Sequence, residues 1–498
     1  MLQPRISSGT AFVPVGARVA RFPTLAGDLE VDVAIVGAGV TGLGLARLLA
    51  GSGLGVAVLE GHRVGGGTTG SSTGQLTSLV DDGYVALESD FGVEAAKAVA
   101  ALTVEAMDAV ERWVREDEIF CSLRRVPAFL FAEAEKDQAE LEKEAAAAAR
   151  AGLGVRAIDP AEMPFAVRAA QRLENQIDFD PSAYVQGLAQ RMPANVRVFE
   201  DTRVESIEDG EPLVVKTTHG TVRARWVVEA RHVPGGMGML HAKTAAYRSY
   251  VVAARAERPL RPGIYADLKV PYHYLREHEG LIVLGGEDHK AGQRPHDAHP
   301  FDALEAYLGE RFGAFEVTAR WSAELYAPVD GLPYIGPMHA DSKHLVATGF
   351  DGDGLLFGTV AATLLSEHML GRKHPHASLF DPSRTKVLAS AKQFVKEQVN
   401  VALHMVSDRI AGAPASADAI APGCGGIVDL DGHRCAVYRE ATTGELHVRS
   451  ATCPHAGGVV QWNPDSRTFD CPLHGGSFSP TGEVLAGPPG KNLDPPKK

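Results

Sequence analysis

The sequence is poor in cysteine, has no long apolar run and carries no excess of positive charge. Its five cysteines among 498 residues are too few and too unevenly spaced for a secreted disulfide framework. No uninterrupted apolar run reaches the roughly 18 residues that a transmembrane helix needs, and no apolar leader stands out. A formal charge of -13 argues against nucleic acid or an anionic membrane as the main partner. We therefore expect a cytoplasmic protein.

A nucleotide-binding pattern is present between residues 31 and 60. A short β-branched run ends in Gly37-x-Gly39-x-x-Gly42, a helical stretch follows, and Glu60 ends the next strand. In this pattern the first two glycines allow a tight turn and a close backbone approach to a pyrophosphate, and the third lets the helix pack on the strand. The acid can accept hydrogen bonds from a ribose. The pattern predicts dinucleotide binding rather than a structural turn in an unrelated α/β domain.

A glycine- and hydroxyl-rich stretch, HRVGGGTTGSSTGQLTS, follows Glu60. Nicotinamide-binding domains usually continue directly with another strand and helix, whereas this loop offers many backbone and hydroxyl groups to a long, multiply anchored cofactor. The stretch therefore favours FAD over NAD. Together with the glycine motif, it resembles the D-amino-acid-oxidase superfamily of FAD-dependent oxidoreductases, which includes glycine, sarcosine and γ-glutamylputrescine oxidases.

A second glycine cluster lies far along the chain, in ATGFDGDGLLFG. A strand at 344–348 meets this cluster and a helix follows, so helix N-H groups can point at the polar end of a flavin, where negative charge develops on reduction. The resemblance implies that both glycine motifs build one flavin site and that the backbone at Val204 lies against the adenine. The predicted FAD-binding residues are Gly37, Gly39, Val40, Thr41, Gly42, Glu60, Thr68, Thr69, Gly70, Ser72, Thr73, Val204, Gly349, Gly352 and Gly354.

The substrate side lacks arginine at two positions where the resemblance implies one. Some relatives have it where this chain has Ala327, and others have it within the glycine cluster, where this chain has Asp351 and Asp353. Amino-acid oxidases use arginine because a guanidinium binds a carboxylate in a bidentate way, whereas two acids favour a cationic amine. The substrate-side candidates are Tyr272, Tyr274, Arg276, Asp351 and Asp353. The alternative for the tyrosines and the arginine is that they are strand residues packing a core edge.

The carboxyl-terminal part carries the most specific motif. Cys453-Pro-His455 is followed, after fifteen residues, by Cys471-Pro-Leu-His474. Two thiolates for one iron and two imidazoles for the other are the ligand set of a Rieske [2Fe-2S] cluster, and the surrounding stretch resembles Rieske domains. Zinc also accepts two cysteines and two histidines, but ordinary zinc fingers space them differently. The motif therefore predicts a Rieske cluster.

Three positions in this motif depart from high-potential Rieske domains. Such domains have an extra cysteine in each loop, forming a disulfide, where this chain has Gly458 and Leu473; Gly476 replaces a serine that donates to a bridging sulfide. Fewer hydrogen bonds to sulfur stabilise the reduced cluster less, so we expect a potential near the low end of the Rieske range. Cys424 and Cys435 are expected to be reduced, buried strand cysteines rather than a replacement bridge.

We predict an α/β FAD-binding (Rossmann-like) domain with an inserted antiparallel-sheet substrate domain, followed by a small all-β Rieske domain. The oxidoreductase domain spans 1–380, a helix and linker span 381–415, and the Rieske domain spans 416–498. The nucleotide-binding segments are about 31–80, 195–235 and 330–370, and the substrate-domain segments are about 81–194 and 236–329.

These parts predict an FAD-dependent enzyme that oxidises the C-N bond of a small amine or amino acid. Flavin accepts two electrons at once and a Rieske cluster carries one, so the electrons leave singly through histidine ligands that face outward to an acceptor protein. One alternative is an oxygen-using oxidase with a structural or sensing Rieske domain. Another is an electron-transfer module that exchanges electrons with a donor or acceptor protein. Neither nucleic acid nor a membrane is an expected partner.

Overall fold

The computed structural model describes residues 20–236, 238–295, 297–384 and 416–496. Residues 1–19 and residues 385–415, which include most of the helix and linker predicted at 381–415, lie outside these ranges. In the described part of the chain, the helices are α1 (Val40–Leu49), α2 (Thr68–Ser71), α3 (Gly83–Phe91), α4 (Val93–Glu116), α5 (Glu135–Arg150), α6 (Pro181–Gln190), α7 (Met239–Ala242), α8 (Pro300–Phe312) and α9 (Gly354–Met369). The strands there are β1 (Leu29–Val36), β2 (Val56–Leu59), β3 (Gln75–Leu76), β4 (Arg124–Ala132), β5 (Arg156–Ile158), β6 (Ala169–Asp178), β7 (Val196–Phe199), β8 (Val204–Glu208), β9 (Leu213–Thr217), β10 (Gly220–Glu229), β11 (Thr244–Ala256), β12 (Ile264–Asp267), β13 (His273–His278), β14 (Leu281–Lys290), β15 (Phe315–Pro328), β16 (Tyr334–Pro337), β17 (His344–Thr348), β18 (Gly425–Leu430), β19 (His433–Arg439), β20 (Leu446–Ser450), β21 (Gln461–Asn463), β22 (Thr468–Asp470), β23 (Ser477–Phe478) and β24 (Val484–Ala486).

A sheet with a parallel centre forms the nucleotide-binding half. Its strand order is β16-β17-β10-β1-β2-β7, and the antiparallel strands β8 and β9 extend it from β10. Side chains of β1 and β2 alternate between two cores, one shared with α1, α4 and α9 and the other shared with β8 and β9. Because both faces are covered, these strands read as continuous β-branched and aliphatic runs in the sequence.

The first glycine motif has the geometry that its sequence predicts. Gly37 has a φ of +107°, which favours glycine, and a Cβ there would lie 2.6 Å from the carbonyl oxygen of Ala230. A Cβ at Gly42 would overlap the carbonyl oxygen of Gly37. The start of α1 therefore lies close against the end of β1, with its N-H groups facing the region where a pyrophosphate binds.

The second sheet is almost entirely antiparallel. Its order is β15-β11-β14-β13-β12-β4-β6-β3, with β5 paired to β6, and only the β4–β12 pair among these is parallel. Helix α8 covers one face through an aromatic and aliphatic core. On the opposite face, the Trp321 indole donates to the main-chain oxygen of Ser71 at 2.8 Å. This bond ties the second sheet to the hydroxyl-rich loop of the nucleotide-binding half.

The carboxyl-terminal module consists of short antiparallel strands. One sheet has the order β18-β19-β20 and the other has the order β21-β22-β23-β24. The segment with Cys453 and His455 follows β20, and the segment with Cys471 and His474 connects β22 to β23. Both predicted ligand segments therefore begin where a strand ends.

Replacing Gly42 by alanine should destabilise the nucleotide-binding half. The added Cβ has to displace the main chain of Gly37, and overpacking of this kind costs about 1–3 kcal/mol. We expect a lower denaturant midpoint and less FAD retained after purification. Gly51→Ala is the matched control, because no atom lies within 4 Å of a Cβ at that position. Equal midpoints for the two variants would contradict the close packing.

Candidate functional site

A cavity of about 1400 Å³ lies between the two sheets and reaches the carboxyl-terminal module. Most of the predicted FAD-binding residues line it, namely Gly37, Gly39, Val40, Thr41, Glu60, Thr68, Thr69, Ser72, Thr73, Val204, Gly352 and Gly354. Gly42, Gly70 and Gly349 do not line it and instead shape the backbone behind its wall. The structure therefore brings both glycine motifs to one cavity.

Glu60 lies at the end of the cavity where the first motif predicts a ribose. Its two carboxylate oxygens accept from the main-chain N-H groups of Ala38 and His62, each at 2.9 Å. Burial raises the pKa of the carboxyl, and these N-H groups oppose the rise. Each oxygen keeps a lone pair for a ribose hydroxyl, so the residue fits the predicted role.

Val204 lines the same end of the cavity. Its main-chain oxygen accepts from Arg231 Nη1 at 3.3 Å, and Arg231 also pairs with Glu229. Glu229 ends β10 and Arg231 follows it directly after Ala230. The guanidinium joins β8 to β10 beside the region predicted for adenine.

The hydroxyl-rich loop contributes two threonines that face different neighbours. Thr69 Oγ1 accepts from the Val40 N-H at 3.2 Å, at the amino terminus of α1. Thr68 Oγ1 lies 3.1 Å from Nδ1 of His232, a cavity-lining residue that the sequence did not single out. Burial lowers the pKa of His232 to about 4, so its ring is neutral at pH 7.

Aspartates line the end of the cavity near the second glycine motif. Asp351 and Asp353 were predicted, and the structure adds Asp81, Asp82 and Asp288 from segments far away in sequence. The Asp81 N-H donates to Asp353 Oδ2 at 2.9 Å. The adjacent pair Asp81-Asp82, which begins three residues after Ser78 at the end of the hydroxyl-rich stretch, is the sequence signal that could have indicated this acidic end.

Burial and mutual repulsion raise the pKa values of these aspartates. Surrounding protein and the other carboxylates raise the pKa of Asp351 and Asp353 well above the usual range. The same causes raise the pKa of Asp81 and Asp82 to about 6. A cation entering this end would relieve the repulsion.

The tyrosine candidates and the arginine candidate lie in different places in the structure. Tyr272 and Tyr274 line the cavity, and the Tyr272 hydroxyl donates to Asp81. Arg276 is fully buried outside the cavity lining, donates to the main-chain oxygen of Phe179 at 2.9 Å and lies 4.0 Å from Asp178. The structure therefore does not bring Arg276 to the substrate side, where a bound carboxylate would need it. The tyrosines remain candidates.

The two predicted cluster segments fold into closely similar turns. In each turn, the main-chain N-H of the cysteine donates to the main-chain oxygen of the residue five positions later. The N···O distance is 2.8 Å both from Cys453 to Gly458 and from Cys471 to Gly476. The next two main-chain N-H groups after Pro454 point at the Cys453 sulfur, and the two after Pro472 point at the Cys471 sulfur. Such N-H groups stabilise thiolates, so the turns suit metal-bound cysteines.

The two histidines converge with the cysteines at the tips of these turns. The rings of His455 and His474 have centroids 5.0 Å apart. His474 Nδ1 is buried and has no hydrogen-bond partner among the described residues, while His455 donates through Nε2. An unpartnered, buried ring nitrogen next to paired sulfurs fits iron ligation. In the described ranges, no group of three or more His, Cys, Asp or Glu residues is placed to hold a single metal ion.

The departures from high-potential Rieske domains have a packing explanation. A Cβ at Gly458 would lie 2.7 Å from Leu473 Cγ, so the leucine fills the space of the missing disulfide. A Cβ at Gly476 would lie 2.7 Å from Pro489 Cγ, which leaves no room for serine. All five cysteines are free, and Cys424 is exposed rather than buried as expected.

The cluster histidines face the oxidoreductase domain. His455 Nε2 donates to the main-chain oxygen of Gly236 at 2.8 Å. The ring of His241 lies 4.8 Å from that of His455 and 5.6 Å from that of His474. The expectation that these histidines face outward to an acceptor is therefore wrong, because the sequence could not show how the two domains dock.

A buried ion network holds the two domains together. Arg248, in β11, donates to Glu324 at 2.6 Å within its own domain and to Asp470 at 3.0 Å in the carboxyl-terminal module. It also donates to Ser477 Oγ at 3.2 Å. Asp470 directly precedes Cys471 in the chain. The network therefore fixes the position of a ligand segment relative to the cavity.

Comparison with known proteins identifies the class. Residues 32–368 match the DAO family of FAD dependent oxidoreductases, and residues 415–496 match the Rieske [2Fe-2S] domain. The chain belongs to this oxidoreductase family and carries a carboxyl-terminal Rieske domain. The family and domain matches confirm the predicted fold, the FAD and the [2Fe-2S] cluster, and the protein is an FAD-dependent oxidoreductase.

In the described part of the chain, no helix is both long and apolar enough to span a membrane.

Individual relatives have the same organisation or part of it. The Bacillus subtilis "Putative Rieske 2Fe-2S iron-sulfur protein YhfW" is 31% identical over 95% of this chain and 94% of its own length. Gamma-glutamylputrescine oxidoreductase of Escherichia coli is 24% identical over 71% of this chain and 87% of its own length. The crystal structure of glycine oxidase from Geobacillus kaustophilus has a TM-score of 0.62 at 21% identity and covers 72% of this chain and 99% of its own.

The cluster should have a reduction potential near the low end of the Rieske range, around -150 mV. The glycine at position 476 offers no hydroxyl to the cluster sulfurs, and Pro489 occupies the space that a serine would need. A redox titration followed by EPR measures the potential. A value well above zero would contradict the expectation.

Arg248→Met should loosen the docking of the Rieske domain. The substitution leaves Glu324 and Asp470 buried without a cation, and breaking a buried pair costs about 3–5 kcal/mol. We expect a larger radius of gyration in small-angle X-ray scattering and an earlier unfolding transition. Arg255→Met, at an exposed position of the same strand, is the control. An unchanged radius of gyration in Arg248→Met would show that the network does not set the docking.

Proposed function

We propose that this oxidoreductase oxidises the C-N bond of a small cationic amine and passes the electrons singly through its Rieske cluster. The observation that carries the proposal is the acidic end of the cavity, where Asp81, Asp82, Asp288, Asp351 and Asp353 gather. A protonated amine is attracted to such a site, and the carboxylate of an amino acid is repelled by it. The name of the E. coli relative, gamma-glutamylputrescine oxidoreductase, supports an amine as substrate.

The cationic side chains nearest this end already have partners. Lys269 pairs with Glu133, and Arg248 pairs with Glu324 and Asp470. Arg276, the arginine that the sequence offered for a substrate carboxylate, is buried outside the cavity lining. None of these three can give a carboxylate the free bidentate contact that amino-acid oxidation requires, so an amine without an α-carboxylate fits the site better.

Asp288 is the residue that we assign to deprotonating the bound ammonium. Its Oδ1 atom is buried, and no hydrogen bond reaches that atom from the described residues. Burial raises the pKa of this carboxyl to about 7, despite a hydrogen bond from Ser249. A base with a pKa near neutrality can take a proton at physiological pH, and amine oxidation needs the nitrogen to be neutral. The bound FAD supplies the hydride acceptor.

Electron exit through the Rieske domain is supported by its docking. His455 and Gly236 are joined by a hydrogen bond of 2.8 Å, and Asp470 is held by Arg248 at 3.0 Å. The predicted cluster ligands thus lie against the domain that binds the flavin, which favours electron transfer within one chain. Asp465, Ser466 and Ser477 of the Rieske domain line the same cavity as the flavin motifs.

Anaerobic mixing with candidate substrates tests the proposal. Alkylamines and diamines should bleach the flavin faster than simple amino acids do, and a Rieske EPR signal should appear as the bleaching proceeds. Faster reduction by amino acids would contradict the substrate class. Stoichiometric peroxide in air with a cluster that stays oxidised would favour an oxygen-using oxidase instead.

Asp288→Asn should slow amine-dependent flavin reduction about 10²–10⁴-fold, the usual contribution of a positioned base. In the unmodified enzyme, the rate should rise as the pH increases through about 7, because the raised pKa keeps the carboxyl protonated below that value. This rise should disappear in the variant. Asp302→Asn, on the exposed side of α8, is the control. A pH profile that is the same in Asp288→Asn would exclude Asp288 as the base.

A further inference from the structure

Tyr326 lies between the cavity wall and the segment that carries Cys471 and His474. The residue is in β15 and only 1% exposed. Its hydroxyl donates to the main-chain oxygen of His474 at 3.2 Å. Gly475 has a φ of +69°, and a Cβ there would lie 2.9 Å from the Tyr326 hydroxyl. The ligand segment therefore rests directly on this tyrosine.

The opposite side of Tyr326 leads to the flavin cavity. The ring of His232 meets that of Tyr326 edge to face, with centroids 4.7 Å apart. Nδ1 of His232 lies 3.1 Å from the Thr68 hydroxyl, and both residues line the cavity. A continuous series of contacts thus runs from the predicted flavin loop through His232 and Tyr326 to a predicted cluster ligand.

We propose that Tyr326 is the residue through which electrons cross from the flavin site to the cluster site. Electrons tunnel more readily through bonded and hydrogen-bonded atoms than across a gap, and this series of contacts is closely packed. The proposal rests on the proposed electron exit through the Rieske domain. The new element is the route of the electrons, which passes through Tyr326 and not through the Arg248 ion network or the His241 contact.

The route carries one electron at a time. The substrate C-H bond breaks and a C=N bond forms as a hydride takes both electrons to FAD. Tyr326 would then carry one of these two electrons to the oxidised [2Fe-2S] cluster that Cys453, His455, Cys471 and His474 would hold. A one-electron acceptor protein reoxidises the cluster before the second electron follows, and the protons pass to water.

Light-driven reduction of the flavin in the anaerobic holoprotein tests the route without any amine. The rate at which the cluster becomes reduced is followed by absorption and freeze-quench EPR. Tyr326→Leu should slow this rate roughly tenfold, equal to about 1.4 kcal/mol of activation free energy. Tyr326→Phe keeps the ring and should slow it less.

Tyr250→Phe is the matched control. Tyr250 is also a buried tyrosine at the domain interface, and its hydroxyl accepts from Asn463 of the Rieske domain at 2.9 Å, whereas the Tyr326 hydroxyl donates to a cluster-ligand residue. Its cluster should become reduced at the unmodified rate. The cluster potential, the EPR line shape and the radius of gyration are measured in every variant, because a purely structural effect would change them.

A transfer rate in Tyr326→Leu equal to that of the unmodified protein would overturn the proposal. If Tyr326→Leu changes the docking of the Rieske domain, Tyr326→Phe becomes the deciding variant. A cluster-reduction rate in Tyr326→Phe equal to that in Tyr250→Phe would then overturn the proposal. An unmodified protein whose cluster stays oxidised after flavin reduction would refute the proposed electron exit itself. Normal light-driven transfer without a reaction with amines would refute only the substrate class.

Discussion

The arrangement of this protein depends on one buried guanidinium. Arg248 binds Glu324 in its own sheet and Asp470 in the Rieske domain, and all three side chains are at most 5% exposed. A buried ion pair gains little net stability after desolvation, but its loss leaves uncompensated charges, so it restricts which surfaces can meet. Because Asp470 precedes Cys471, this restriction also positions a cluster ligand. Hydrogen bonds of His455 to Gly236 and of Tyr326 to His474 act beside the network at the same boundary.

Docking in this orientation changes the expected path of the electrons. The histidines of the cluster motif pack against Gly236, His241 and Tyr326 of the oxidoreductase domain. The proposed electron transfer therefore runs from the flavin site to the cluster site within one chain. In this proposal, an acceptor protein approaches another side of the Rieske domain.

The acidic end of the cavity follows from the same sheet that presents Arg248. Tyr274 in β13, Asp288 in β14 and Tyr272, which directly precedes β13, line the same cavity as Asp81, Asp82, Asp351 and Asp353. Their carboxyls repel one another and lose water, so their pKa values rise and a cation becomes the favoured occupant. The fold is that of the DAO family of FAD dependent oxidoreductases, and the proposal of an amine substrate rests on this pocket, because function is set by the site rather than by the fold.

The sequence by itself determined the features that depend on local backbone geometry. The motifs that contain Gly37, Gly42, Cys453 and His474 depend on residue spacing within a single turn or loop. Such spacing can be recognised directly in the amino-acid sequence. Domain docking, the exclusion of Arg276 from the cavity and the meeting of Asp81 with Asp288 were decided only by the tertiary structure. These features join residues hundreds of positions apart through sheet register and side-chain packing, and no local pattern encodes which distant surfaces meet.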